Sequence, residues 1–135
     1  HLTTQTARAG LTGVVRRRAW GPPAEFFAEV DVLVVCSDNE GLTLTSLEAD
    51  RYNVLVMSAD VGSQATVVPS SALLPRPPRA FLASAEAELR RLSGSPAAFA
   101  QALADQHDLV EALNEHPSAA EFFRDYITTL SGDNS

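Results

Sequence analysis

Two runs of apolar residues, each bounded by polar ones, mark the first half of the chain. Asp31–Ser37 contains five consecutive apolar positions and Val54–Met57 contains four. Runs without polar alternation are typical of parallel strands that helices cover on both faces, so both are predicted to be buried strands. Between them, apolar residues at helical spacing predict a helix over Leu42–Arg51. This strand-helix-strand order predicts an α/β fold in which the two strands are adjacent and parallel.

Shorter sequence patterns before and after this strand-helix-strand unit predict further elements. The β-branched run Val14–Arg16 predicts a strand, and Gly21–Pro23 predicts the start of a helix. Asn53 tolerates the left-handed conformation better than most residues, so it is expected to end the central helix. After the second strand, Asp60–Ser63 is expected to turn the chain into a short helical piece that ends near Val68.

Beyond residue 69 the pattern becomes helical. Prolines at positions 75, 77 and 78 predict an extended connector. A helix is predicted over Arg79–Leu92, and Ser95–Pro96 supplies an N-cap and a first-turn proline for a second one. A capping box at Ser118–Glu121 predicts a third helix, with Phe122, Phe123 and Tyr126 in its core. The inward positions expected in the first two helices are Phe81, Ala85, Leu89, Leu92, Phe99, Leu103, Gln106, Val110 and Leu113.

Composition narrows the classes of function. With 135 residues the chain can bury one modest core, and its net charge of −7 argues against a nucleic-acid partner. Its one cysteine, Cys36, is expected to be a small buried hydrophobe in a protein of the reducing cytoplasm. No apolar run is long enough to cross a bilayer and no signal peptide is visible, so nothing indicates membrane association. Because no initiating Met is present, the chain is expected to be part of a longer protein.

Histidine placement gives no sign of a metal centre. The three histidines show no metal-ligand spacing with the cysteine, and no metal or cofactor is expected. His107 lies on a polar helix face and is expected to be exposed. The remaining candidate chemistry therefore lies between the two predicted strands.

Two glutamates, Glu40 and Glu48, are separated by seven residues around the predicted helix start, and Gly41 follows the first of them. This segment resembles the Glu-x7-Glu motif of retaining glycosyltransferases of the GT-B fold, the large group that includes sucrose synthases and many cell-envelope mannosyltransferases. The resemblance extends from about Gly10 to about Leu74. The matching positions are Asp31, Val32, Ser37, Glu40, Gly41, Leu44, Leu47, Glu48, Ala49, Val56, Asp60, Val61 and Gly62.

The resemblance implies a partial Rossmann-like parallel sheet, the nucleotide-sugar-binding C-terminal half of a GT-B enzyme, over residues 1–78. Residues 79–135 would then be a helical extension packed on the same domain. By the same resemblance, Glu48 would bind the ribose hydroxyls and Glu40 the transferred sugar at the catalytic centre. The backbone N–H groups of Gly41, Leu42 and Thr43 are the phosphate-binding candidates, because a helix start offers unpaired donors to an anion.

The chain also departs from the family pattern. Asp50 and Arg51 stand where the family has Met-Ala, Asn53 and Leu55 replace a Gly and a Pro, and Ser63 replaces a second Gly. The basic pair that clamps the diphosphate in this family lies in an earlier unit, before the first residue of this chain. These departures indicate a divergent branch, and loss of activity is one of the alternatives.

Three interpretations of function stay open at this point. In the first, the chain binds the donor of a transferase that moves a sugar with retention to an acceptor sugar or lipid-linked glycan, which a missing N-terminal domain would hold. In the second, it is a non-catalytic module, and Glu40 and Glu48 are solvated carboxylates. In the third, it belongs to a nucleotide-sugar epimerase. Ser37 offers no hydrolase alternative, because the chain lacks a Gly-x-Ser-x-Gly elbow.

Overall fold

The computed structural model describes residues 2–16, 18–19, 21–41 and 44–115. Three strands and five helices form there, together with one short 3-10 turn over Gln64–Thr66. The strands are β1 (Val32–Val35), β2 (Leu55–Ala59) and β3 (Leu73–Leu74). The helices are α1 (Leu2–Arg8), α2 (Pro23–Phe27), α3 (Leu44–Arg51), α4 (Pro78–Gly94) and α5 (Pro96–Asn114).

The three strands form one parallel sheet in the order β1-β2-β3. Val32 of β1 lies opposite Leu55 of β2, and Ser58 of β2 lies opposite Leu73 of β3. Helix α3 connects β1 to β2, since adjacent parallel strands need a crossover connection between them. The predicted α/β fold, with two adjacent parallel strands joined by a helix, is confirmed.

The central strand β2 is buried along its whole length, as its unbroken apolar run predicted. Strand β1 is not: within the described residues it is an edge strand, and its side chains are only partly buried or exposed. Val34 is 42% exposed there. Cys36, which continues the same strand direction, is exposed rather than buried. The predictions of a doubly covered first strand and a buried cysteine are therefore wrong.

Two further segments differ from the pattern-based expectation. Val14 and Val15 both donate their N–H groups to the carbonyl oxygen of Leu11, at 3.0 and 2.9 Å, so this segment is a turn and not a strand. A strand that was not predicted forms after Pro69, where β3 immediately precedes the predicted proline connector. Ser58 donates to Ala72 O at 3.0 Å, and this bond adds the two-residue strand to the edge of β2.

Helices α4 and α5 cover the sheet and contribute to one cluster of buried residues with β2. Phe81, Ala85 and Leu92 of α4 are buried there, as predicted. Leu89 is 40% exposed, and the neighbouring Glu88 occupies a buried position instead. Ser95 caps α5 as predicted, because its Oγ accepts the N–H of Ala98 at 3.2 Å.

Several predictions fall on residues that the structure does not describe. The third C-terminal helix, from Ser118 onward, lies outside the described residues, as do Leu42 and Thr43. Among the helices that are described, none combines the length and the apolar content needed to cross a bilayer.

Candidate functional site

The candidate site lies at the end of the sheet that is formed by the carboxyl ends of the strands. In a parallel sheet all carboxyl ends meet on one side, and ligands of open α/β sheets bind beyond that side. Three loops leave the sheet there: 36–41 after β1, 60–63 after β2 and 75–77 after β3. Glu40 and Gly41 belong to the first of these loops.

The first two loops are in direct contact at Gly62. This glycine has a φ of 55°, and a Cβ placed on it would overlap the carbonyl oxygen of Glu40 and lie 3.0 Å from that of Gly41. Ser63 adds a hydrogen bond from its Oγ to Gly41 O at 3.1 Å. The absence of a side chain at position 62 is therefore what allows the two loops to pack together. The Glu40–Gly41 peptide is held by the loop that follows β2.

The third loop, which follows β3, brings a positive charge to the same carboxyl end of the sheet. Arg76 donates from Nη2 to the carbonyl oxygen of Asp38, at 3.3 Å. The carboxylates of Asp38, Glu40 and Asp60 belong to the other two loops. Sequence reasoning missed Arg76, because its position at this end of the sheet depends on β3, which was not predicted. The motif residues Asp60 and Gly62 did give a sequence signal for the second loop.

Glu48 lies in a different feature, a pocket between α3 and α2 of about 280 Å³. Helix α3 contributes Thr45 and Glu48 to its lining. The segment leading into α2 and α2 itself contribute a mainly apolar wall, formed by Pro22, Pro23, Phe26 and Phe27, and Arg18 lies at the same pocket. The Glu48 side chain is half-buried rather than fully solvated.

Two aromatic contacts fix one wall of this pocket. The ring of Phe27 stacks on Tyr52, with centroids 5.3 Å apart and planes at 16°, and it meets Phe26 edge to face at 5.1 Å. Arg18 is held by Glu25, from Nη1 to the Glu25 carbonyl oxygen at 2.9 Å and from Nη2 to its carboxylate at 3.3 Å. The pocket therefore combines an aromatic wall, a carboxylate and a hydroxyl.

The predicted site residues are thus distributed over two features. Glu40 and Gly41 lie on the loop at the carboxyl end of β1, and Glu48 lies on α3 in the pocket beside α2, whose lining does not include Glu40. Leu42 and Thr43 lie outside the described residues. Within the described part of the chain, no group of three or more His, Cys, Asp or Glu side chains is arranged to hold a metal ion.

Comparisons with protein-family models, with curated proteins and with solved structures found no match to this chain. The function of the chain is therefore inferred from its residues and their geometry.

Proposed function

We propose that this chain binds the donor of a retaining glycosyltransferase, a nucleotide diphosphate sugar, across the loop that carries Glu40 and the pocket that carries Glu48. In the complete enzyme the sugar passes to an acceptor sugar or lipid-linked glycan held by a separate N-terminal domain. The observation that carries the proposal is the position of Glu40 and Gly41 at the carboxyl ends of parallel strands, where α/β sheets bind ligands.

The pocket beside α2 suits the nucleoside end of such a donor. A ribose presents two neighbouring hydroxyl groups, and an ionised carboxylate is an acceptor-only group that can take a hydrogen bond from each. Glu48 is half-buried at a wall formed by Phe26, Phe27 and Pro22, so a nucleoside there would meet both an acceptor and an apolar surface. Ligand pockets usually have this composition, mostly apolar with a few placed polar groups.

The loop after β1 suits the diphosphate and the sugar. A Cβ on Gly41 would meet nothing within 4 Å, so the backbone of this residue is open to a close approach by phosphate oxygens. The N–H groups of Gly41, Leu42 and Thr43 precede α3 and are the proposed donors to the phosphates. Glu40, half-buried one residue earlier, is the proposed partner of the sugar hydroxyls.

The chemistry of transfer needs stabilisation of the departing diphosphate, whose negative charge grows as the glycosidic bond breaks. Backbone donors at positions 41–43 and the guanidinium of Arg76 are the groups of this chain proposed to face that charge. No metal or cofactor is part of the proposal. The chain alone is not expected to turn over a donor, because the acceptor must be held by another domain and the cleft closes only around both substrates.

A second candidate function is a non-catalytic module of the same fold. The observation that favours it is the excess of negative charge in the three loops at the carboxyl ends of the strands. Asp38, Glu40 and Asp60 lie there with one described basic residue, Arg76. Three carboxylates repel a diphosphate, and a transferase needs further cations there. An epimerase that acts on nucleotide sugars also needs cations near the diphosphate, so the negative charge of these loops does not distinguish an epimerase from a transferase.

Calorimetric titration with nucleoside diphosphates and their glucose and mannose conjugates tests the proposal. Glu48→Ala is expected to weaken binding of both kinds of ligand about tenfold to hundredfold, because a hydrogen bond to a charged group contributes roughly 1.5–3 kcal/mol. Glu40→Ala is expected to leave diphosphate binding nearly unchanged and to weaken only the sugar conjugates. Gly41→Val is expected to weaken both, since its side chain would occupy the space open to the phosphates.

Glu86→Ala is the matched control, because Glu86 is exposed on α4 and does not line the pocket that holds Glu48. Equal and negligible effects of the Glu40, Gly41 and Glu48 substitutions would contradict donor binding and leave the module as the remaining function.

A further inference from the structure

A buried glutamine on α5 takes the place of a strand beside β2. Gln106 has no exposed surface, and its Oε1 accepts the N–H of Val56 at 2.7 Å while its Nε2 donates to the carbonyl oxygen of Val54 at 3.0 Å. Strand β3 pairs with Ser58 and Ala59, so among the described residues no strand lies on that side of the first part of β2. A carboxamide carries one acceptor and a donor, as a peptide group does, and can therefore satisfy the exposed backbone of β2.

Gln106 also contacts Asp50 of α3. Gln106 Nε2 also donates to Asp50 Oδ1 at 3.2 Å, and His107 Nδ1 lies 2.8 Å from the same oxygen. Asp50 is 8% exposed, and His107 is half-buried, which corrects the expectation that it is solvent-exposed. A buried carboxylate is costly unless hydrogen bonds compensate it, and here two successive residues of α5 do so. Asp50 is also one of the positions at which the chain departs from the glycosyltransferase pattern.

We propose that Asp50, Gln106 and His107 form a latch through which α5 sets the position of α3, and with it Glu48, for ligand binding. The proposal rests on the proposed function of Glu48. Residues two apart on a helix lie about 200° apart around its axis, so Asp50 points into the protein while Glu48 faces the pocket. A tie on the inner side of α3 therefore fixes the rotation of the helix that determines where the Glu48 carboxylate lies.

The end of α3 gives a second link between the latch and the pocket. Tyr52 follows Asp50 by two residues, and its ring stacks on Phe27, which lines the pocket. A shift of α3 would move Glu48 and the Tyr52 ring together, so both the carboxylate and the aromatic wall depend on the latch. Asp50, Gln106 and His107 are positioning residues in this proposal, since none of them lines the pocket.

Gln106→Leu tests the latch, because leucine has a similar size but neither donates nor accepts. We expect the variant to fold, to bind nucleoside diphosphates about twofold to thirtyfold more weakly, and to show altered NMR shifts for the α3 amides and the Tyr52 ring. Asp50→Asn retains an acceptor oxygen for Gln106 and should stay close to the wild type in both measurements. Gln101→Leu is the matched control, because Gln101 is exposed on the same helix and its Nε2 donates to the exposed carboxylate of Asp105 at 2.8 Å.

His107→Leu keeps the test decisive if Gln106→Leu does not fold. His107 is half-buried, so its loss is tolerable, and it should shift the α3 signals and the affinity in the same direction by a smaller amount. Wild-type affinity in a folded latch variant would overturn the proposal, whether or not the α3 signals change.

If the wild-type chain binds none of the probes, the proposed function fails. The NMR signals of α3 then test separately whether the latch sets the position of the helix. Altered α3 and Tyr52 signals in Gln106→Leu or His107→Leu would still support it, and unchanged signals would overturn it.

Discussion

Gly62 has a left-handed backbone conformation and packs directly against the loop that carries Glu40. Its φ of 55° is unfavourable for other residues, and any side chain would collide with the Glu40 carbonyl oxygen. Gly62→Ala is therefore expected to lower the free energy of unfolding by about 1–3 kcal/mol or to displace the loop that carries Glu40. Thermal and denaturant unfolding would measure the loss, and NMR shifts of residues 38–41 would report the displacement.

Gly41→Ala is the matched control for this substitution. A Cβ on Gly41 would meet nothing within 4 Å, so this variant should keep the stability of the wild type to within about 0.5 kcal/mol. Equal losses of stability in the two variants would contradict the contact between the two loops.

Helix α4 carries a charge pair that makes its stability depend on pH. Glu88 is buried, and its two oxygens accept from Arg91 Nε at 2.7 Å and from Arg91 Nη2 at 2.6 Å. These hydrogen bonds lower the pKa of the Glu88 carboxyl below its usual value, against the opposing effect of burial. A carboxyl whose pKa is lower in the folded state stabilises the fold above its unfolded pKa of about 4.3, and this contribution is lost as the pH falls through the folded pKa.

Glu88→Gln is accordingly expected to lower the Tm at pH 7 by roughly 2–4 °C, with the difference from the wild type vanishing toward pH 2. Glutamine resembles the protonated glutamate, so the two proteins should converge where Glu88 is neutral. Glu86→Gln removes the exposed pair between Glu86 and Arg90, which are 2.8 Å apart, and should have a smaller effect. A Tm difference that persists unchanged at low pH would show that packing, and not charge, explains the Glu88 effect.

At the scale of the whole molecule, one cluster of buried residues joins the sheet to the C-terminal helices. Met57 of β2 is fully buried and Phe81 of α4 is 8% exposed, and both belong to this cluster. Met57→Ala is expected to cost about 2–5 kcal/mol and Phe81→Ala about 3–5 kcal/mol. Because the two residues share a core, each variant should shift a single unfolding transition seen alike by far-UV circular dichroism and by calorimetry.

Leu82→Ala provides the comparison, since Leu82 is adjacent to Phe81 in sequence but 67% exposed, and its loss should be small. Two separate transitions, with Met57→Ala affecting one and Phe81→Ala the other, would mean that the helices fold independently of the sheet.

The sequence by itself determined the elements whose signals are local. The unbroken apolar run of β2, the helical spacing of α3, the left-handed Asn53 with its φ of 57° and the Ser95 cap were all predicted and are all present. Each depends on residues within a few positions of one another, so the pattern contains the physical cause. The order of these elements was enough to predict a parallel α/β arrangement.

Only the tertiary structure decided which strand lies at the edge and which polar groups meet. Val34 and Cys36 follow the same apolar pattern as β2, yet they are exposed, because the described helices pack mainly on β2 and β3 rather than on β1. The contacts from Arg76 to Asp38 and from Gln106 to Val54 join residues 38 and 52 positions apart. No periodic pattern in the sequence encodes these contacts, since they depend on how the folded chain brings distant polar groups together.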